Sequence, residues 1–175
     1  MNARKDILHA IAHAAIDRAL GGHATADESA GWLDEQGATF VTLTRQGRLR
    51  GCIGTLEAHQ PLKDDVKRNA RGAALHDPRF PALAREELAD TQVHVSVLSP
   101  LTPLACEGEA DALALLRPGV DGVLLEFGGH RATFLPQVWE QLPEPRQFLT
   151  QLKRKAGLPA DFWAEGLRLS RYELR

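Results

Sequence analysis

The stretch RLRGCIGTLE, residues 48–57, places one cysteine between two glycines and directly after two arginines. Cysteine attacks electrophiles as the thiolate, and a neighbouring cation favours that form. Arg50 precedes Cys52 by two residues, so on an extended strand both side chains point to one face, roughly 7 Å apart. Gly51 and Gly54 leave the backbone open to a bound group. The stretch predicts a thiol centre at Cys52, with Arg50 activating it or binding an anionic group.

Acyl or group-transfer chemistry at a thiol also needs a general base, and three histidines lie in neighbouring segments. These are His59, His76 and His94. We expect His94 to be the base, because the alternation in TQVHVSVLSP places it on the face opposite to the valines. Ser96 shares that face, and with Thr55 it is a candidate hydrogen-bond donor to a ligand. A serine hydrolase is not expected, since no Gly-x-Ser-x-Gly turn surrounds Ser96.

Cys52 also has a purely structural interpretation, which stays open at this point. A free cysteine is among the residues most often buried, and Gly-x-x-Gly can mark a bulge or a close strand crossing. The second cysteine, Cys106, has no comparable setting and is expected to be structural.

The segment DPRFP has two interpretations as well. Asp77 and Arg79 could bind the polar group of a ligand. Alternatively they form an ion pair that locks a turn and holds Phe80 in a core, which is the interpretation we favour.

Hydrophobic periodicity and turn residues predict the elements that position these side chains. Helices alternate with antiparallel hairpins, without a regular βαβ repeat, which predicts an α+β fold. In chain order we expect a helix capped by Asn2 and ended by Gly21-Gly22, a hairpin turned at Gln46-Gly47, a helix from Pro61, a strand over 91–98, a short helix ended by Pro118-Gly119, a hairpin turned at Gly128-Gly129, a helix ended by Gly157 and a last strand in LRLSRYELR.

Strict alternation along the second strand of the first hairpin divides its residues between two faces. The core face is expected to hold Leu49, Gly51 and Ile53, and the other face Arg50, Cys52 and Gly54.

Composition bounds the class of protein. The 175 residues are 43% apolar and 25% charged, and 21 Lys and Arg stand against 23 Asp and Glu. The net charge of -2 provides no general attraction to nucleic acid or to an anionic membrane, so neither is an expected partner. No apolar run approaches the roughly 20 residues of a membrane span, and no export signal is evident, which predicts a cytoplasmic protein with reduced thiols. Zinc motifs such as CxxC and HExxH are missing, so no metal or cofactor is predicted.

The run Lys153, Arg154 and Lys155 invites a nucleic-acid interpretation, but it suits the C-terminus of a helix, and we expect a solvated face. The form GCIG resembles a nucleotide-binding loop only weakly, because Cys52 and Ile53 stand between its glycines.

Six segments together resemble a known family, the domain named for the AMME chromosomal-region candidate gene, whose bacterial and archaeal members are called AmmeMemoRadiSam system protein A. They are GATFVTLTRQGRLRGCIGTLE, AALHDPRF, VSVLSPLTPL, PGVDGVLL, FLPQVW and FLTQLKRKAGLPADFW. Neither LRGCIG, residues 49–54, nor DPRF, residues 77–80, departs from the family pattern.

The resemblance implies one domain over 1–175 with a larger and a smaller lobe, and a cleft lined by the LRGCIG strand. It also implies association with a radical S-adenosylmethionine (SAM) enzyme and with a Memo-like protein. We expect an enzyme or enzyme component acting through Cys52 on a small metabolite or peptide. The alternatives are a non-catalytic scaffold for those partners and, less favoured, an RNA-binding regulator.

Overall fold

The computed structural model describes residues 2–175, which form two compact units. The first runs to Leu98 and includes Arg175, and the second is Ser99–Leu174. Each combines helices with an antiparallel sheet, so the α+β class expected from the sequence is confirmed. Within 2–175, no helix has the length and apolar character needed to cross a bilayer.

The first unit has two helices and a three-stranded sheet of order β2-β1-β3. Its elements are α1 (Ala3–Ala19), β1 (Thr39–Arg45), β2 (Arg48–Gly54), α2 (Leu62–Leu75) and β3 (Thr91–Val97). The expected Asn2 cap is present, with Asn2 Oδ1 accepting from the Arg4 N–H at 3.2 Å. The β1–β2 turn places Gln46 and Gly47 at φ 53° and 73°, the left-handed pair of a two-residue hairpin turn.

The core of this unit lies between the sheet and its helices. Val41 and Leu43 of β1 are fully buried beneath α2, and Val95 of β3 is 4% exposed. The apolar stripe expected on α2 is confirmed as buried: Leu62, Val66, Ala70 and Ala73. Two polar residues of α2, Asp65 and Asn69, are buried in the same stripe.

The second unit carries a four-stranded sheet of order β4-β7-β5-β6. Its elements are β4 (Thr102–Pro103), α3 (Glu109–Leu115), β5 (Gly122–Phe127), β6 (His130–Phe134), α4 (Pro145–Lys155) and β7 (Arg168–Tyr172). The expected last strand, β7, pairs with both β4 and β5. Phe148, Leu149 and Leu152 of α4 are fully buried, as the periodicity predicts.

Lys153 corrects the expectation of a solvated basic face, because it is fully buried. It follows Leu149 by one helical turn and therefore lies on the buried side of α4. Its Nζ donates to Glu109 Oε1 at 2.6 Å and lies 5.8 Å from the centroid of the Trp163 ring. A charge at this depth is tolerated because it is paired and hydrogen-bonded.

Candidate functional site

A β-bulge in the first hairpin decides which residues of β2 share a face. The register shifts so that Leu43 faces Gly51 whereas Thr44 faces Leu49, which leaves Arg50 as the extra residue. Leu49 therefore does not share the core face with Gly51, and it is 44% exposed. The strict alternation expected from the sequence is wrong at this point.

Cys52 lies opposite Thr42 of β1, and its Sγ is 3.3 Å from Thr42 Oγ1. It is half-buried and belongs to neither hydrophobic core, whereas Cys106 packs against the core of the second unit. Burial, followed by the charge of Asp111, raises the pKa of the Cys106 thiol. The two cysteines thus have different surroundings, and only Cys52 has a polar one of this kind.

The backbone of Cys52 is held at the open edge of β2 by the DPRFP segment. Its N–H donates to Asp77 Oδ2 at 2.9 Å, and its carbonyl accepts from Arg79 Nη2 at 3.4 Å. Both groups therefore point away from β1, as in a non-hydrogen-bonded antiparallel pair, where facing side chains approach closely. The contact between Sγ and the Thr42 hydroxyl follows from this position in the ladder.

Asp77 and Arg79 form the ion pair of the structural interpretation. The Asp77 side chain is only 2% exposed, and its Oδ2 lies 2.8 Å from Arg79 Nη2. The hydrogen bonds from Arg79 first, and then the Cys52 and Arg79 N–H groups, hold the pKa of the Asp77 carboxyl far below its usual range. The pair does more than lock its own turn, because it also fixes the backbone that carries the thiol. Phe80 is not a core residue; it is half-buried, with its ring centroid 5.5 Å from the Arg79 guanidinium.

Arg50, which was expected to activate Cys52 or to bind an anionic group, is bound to other groups. Its Nε and Nη2 donate to the two carboxylate oxygens of Glu87 at 3.1 and 3.0 Å, and Nη1 donates to the Pro81 carbonyl at 2.9 Å. Hydrogen bonds from Arg50 are the main cause of the lowered pKa of Glu87. The geometry therefore gives Arg50 a structural anchoring role.

Arg79, although it is paired with Asp77, is a cation whose charge interacts with that of Cys52. Its pKa is raised chiefly by the hydrogen bond to Asp77, and the negative charge of a Cys52 thiolate contributes a further increase. The effect is mutual, so the Arg79 charge favours the thiolate over the thiol. The sequence predicted this role for Arg50, two residues before the cysteine, whereas in the structure the charge comes from Arg79, 27 residues after it.

The two glycines flanking Cys52 permit close packing. A Cβ on Gly51 would come within 2.1 Å of the Ala73 carbonyl oxygen of α2, and one on Gly54 within 2.3 Å of the Phe40 ring. Gly51 thus lets α2 approach β2, and Gly54 accommodates an aromatic ring from the neighbouring strand. Both positions are occupied by packing contacts on the side where a Cβ would stand.

His94 and Ser96 lie on β3, on the far side of β1 from Cys52. His94 faces Thr42, so about two strand spacings, roughly 10 Å, separate its Cα from that of Cys52. The His94 ring lies 6.1 Å from that of His9, and burial followed by the His94 charge lowers the pKa of His9. This register does not favour His94 as a base for Cys52. Ser96 faces Phe40 rather than the cysteine.

Thr55, expected to contact a ligand, donates to Asp65 Oδ1 at 2.8 Å. Asp65 is fully buried on α2 and also accepts from the N–H and the hydroxyl of Thr39, both at 2.8 Å. This polar cluster was not predicted from the sequence, although helical spacing places Asp65 beside Leu62 and Val66 in the apolar stripe.

Thr42 and Glu87 were not predicted as site residues either, because their roles depend on strand register and on contacts distant in sequence. Within residues 2–175, no three His, Cys, Asp or Glu side chains are grouped to hold a metal ion.

Comparison with known proteins identifies the relatives of this fold. The family model described as AMMECR1 matches residues 9–175. The chain belongs to the AMMECR1 family. A family relative from Methanothermobacter thermautotrophicus is 46% identical over 136 residues, covering 77% of this chain and 71% of that protein. Protein MJ0810 of Methanocaldococcus jannaschii is 36% identical over 167 residues, covering 93% of this chain and 83% of that protein.

The crystal structure of the uncharacterized protein PH0010 from Pyrococcus horikoshii has the same fold. Its TM-score is 0.91 at 30% sequence identity, over 99% of this chain and 90% of that chain. Family and fold are therefore established from sequence and structure independently.

Proposed function

We propose that this AMMECR1-family protein is a thiol-dependent component of a modification system, in which Cys52 reacts with a small metabolite or peptide. Its proposed partners are a radical SAM enzyme and a Memo-like protein. The observation that carries the proposal is the setting of Cys52: half-buried, outside both cores, beside the Thr42 hydroxyl and near the Arg79 guanidinium. A cysteine that only fills space instead packs against a hydrophobic core, as Cys106 does.

The proposed chemistry is attack by the Cys52 thiolate on an electrophilic carbon of the substrate. A thiol that is already ionised needs no base at the moment of attack, so a distant His94 does not prevent this step. Arg79 favours the anion, the Thr42 hydroxyl can donate a hydrogen bond to it, and Asp77 keeps the backbone in place. The new C–S bond forms as the substrate's leaving group departs with its electron pair.

The experiment reconstitutes the three proposed components with a cell metabolite extract and compares wild-type protein with Cys52→Ser by mass spectrometry. We expect the product, and any adduct on the protein, to be lost in Cys52→Ser and kept in Cys106→Ser, the matched control in the same chain. Circular dichroism of both variants confirms that they are folded.

A Cys52→Ser protein that supports full turnover would overturn the thiol proposal. If that variant also still binds both partners, the result favours the scaffold alternative. If neither partner binds the wild-type chain in a pull-down, the proposed partnership is wrong, whatever the reactivity of the thiol.

A further inference from the structure

A cavity of about 520 Å³ lies in the first unit, between the end of β2 and α2. Its size is within the range of small-molecule sites. The titratable side chains that line it, within residues 2–175, are two arginines and two histidines: Arg68, Arg71, His59 and His76. The chain as a whole is slightly acidic, so this cavity concentrates positive charge locally.

The cavity is formed by one face of α2. Counted from Arg68, the lining residues of α2 and its C-terminal cap lie three, four, seven and eight positions further on, which places them on the same side of the helix. They are Arg71, Gly72, Leu75 and His76. Gly72 stands in the middle of this face, and its missing side chain leaves the hollow open. A Cβ there would lie 3.1 Å from Cγ2 of an isoleucine on β2.

No acidic side chain in the described part of the chain pairs with the two arginines. Arg68 and Arg71 make no ion pair and no hydrogen bond with any side chain within 2–175. Asp64 lies one turn before Arg68 but pairs with Lys67 at 3.3 Å. By contrast, the guanidinium of Arg50 is bound to the Glu87 carboxylate and to the Pro81 carbonyl. Two guanidinium groups are therefore available to an anion from solution.

The backbone of β2 adds a donor. Cys52 directs its N–H away from β1, to Asp77, and the ladder alternates so that Gly54, two residues later, has the same orientation. Consistent with this, the next residue, Thr55, directs its N–H back to the Thr39 carbonyl at 2.8 Å. The Gly54 N–H therefore points to the open edge of β2, and Gly54 lines the cavity.

The buried acid of α2 does not line the cavity. Asp65 is fully buried, and its carboxylate accepts hydrogen bonds from Thr39, Thr55, Gln60 and Asn69. Thr55 and Asn69 line the cavity and hydrogen-bond to this carboxylate, whereas Asp65 itself does not line it. The acid is satisfied by its own donors, and the charged groups left for a ligand are cationic.

We propose that this cavity binds the phosphate group of a small phosphorylated molecule. Guanidinium groups match phosphate oxygens in paired hydrogen bonds, and backbone N–H groups commonly complete such sites. The two arginines would hold the anion from the α2 side, and the Gly54 N–H would donate to it from the β2 side. Cys52 does not line this cavity, and phosphate binding there goes beyond the proposed function.

The test measures binding of inorganic phosphate and of pyrophosphate by calorimetry, together with amide NMR shifts. We expect the Gly54 and Gly72 amides to shift on binding, and the double variant Arg68→Gln/Arg71→Gln to bind pyrophosphate at least about tenfold more weakly. Arg48→Gln is the matched control: it removes one charge from an exposed position of β2 outside the cavity, and we expect less than a twofold change.

Cys52→Ser should bind phosphate like the wild type, so a failure of the phosphate-site proposal can be distinguished from a failure of the thiol proposal. If the double variant does not fold, the single variants Arg68→Gln and Arg71→Gln carry the test. Equal losses of pyrophosphate affinity in Arg48→Gln and in the cavity variants would show that diffuse surface charge binds the anion, and would overturn the proposed site. Unshifted Gly54 and Gly72 amides would overturn its location. A ten-nucleotide RNA that binds at least about a hundredfold more tightly than pyrophosphate, with a steep dependence on salt, would overturn the small-molecule assignment.

Discussion

Replacing Arg79 with glutamine tests whether this residue controls the Cys52 thiol. Arg79 Nη2 lies 3.4 Å from the Cys52 carbonyl oxygen, which in any rotamer is less than about 5 Å from Sγ. The guanidinium is therefore within roughly 8 Å of the sulfur, where a unit charge is worth about 2 kcal/mol at an effective dielectric constant of about 20. The Arg79 side chain is 55% exposed, and solvent screening reduces this to about 1 kcal/mol.

One kcal/mol corresponds to about a fivefold change in the thiolate fraction, or roughly 0.7 pH unit in the midpoint of thiol reactivity. The assay is the rate of alkylation by iodoacetamide at each cysteine across pH, resolved by mass spectrometry, with Cys106 as internal reference. We expect Arg79→Gln to move the Cys52 midpoint to higher pH and to leave Cys106 unchanged. Arg79→Lys keeps the charge but not the two parallel hydrogen bonds to Asp77, so we expect it to move the Cys52 midpoint less than Arg79→Gln does.

Arg50→Gln separates this explanation from the one that the sequence suggested. Because Arg79 is the arginine whose charge interacts with that of Cys52, we expect a smaller shift in the Cys52 midpoint for Arg50→Gln than for Arg79→Gln. An unchanged midpoint in a folded Arg79→Gln variant, or a larger shift in Arg50→Gln, would refute the reasoning.

Three further predictions concern stability, each measured by denaturant unfolding. Gly51→Ala should lower the free energy of unfolding by about 3 kcal/mol or more and Gly54→Ala by less, because the new Cβ meets a backbone carbonyl at Gly51 and a movable ring at Gly54. Equal losses of stability in the two variants would contradict this. The pKa of Asp77 is lowered in the folded state, so the ionised carboxylate stabilises the fold fully above about pH 4, and this contribution is lost on further acidification. The difference in unfolding free energy between wild type and Asp77→Asn should therefore narrow from pH 6 to pH 3. A constant difference would contradict this role of Asp77. The unfolding free energy of Lys153→Met should stay within about 1 kcal/mol of the wild type, whereas Glu109→Ala should lower it by about 3 kcal/mol because it leaves the buried charge of Lys153 unpaired. The reverse order would show that pairing with Glu109 is not what allows Lys153 to be buried.

The chemistry of the site was only partly predictable from the sequence. Cys52 and the segment around Asp77 were both identified, but as separate features with alternative interpretations. Their hydrogen bond joins residues 25 positions apart, and the ion pair of Arg50 spans 37 positions. No local pattern encodes such pairings, so the sequence assigned the activating charge to the nearest arginine.

Local physics explains what the sequence by itself determined: the helices, the hairpins and their turns, the buried stripes and the α+β class. Hydrophobic periodicity, helix caps and turn residues depend on a few neighbouring residues, so they can be recognised in the sequence alone. Only the tertiary structure decided the bulge at Arg50, the burial of Lys153 and the choice of Arg79 as the cation beside Cys52. These depend on strand register and on which distant charges meet, and a one-residue shift in register changes the face of every side chain that follows.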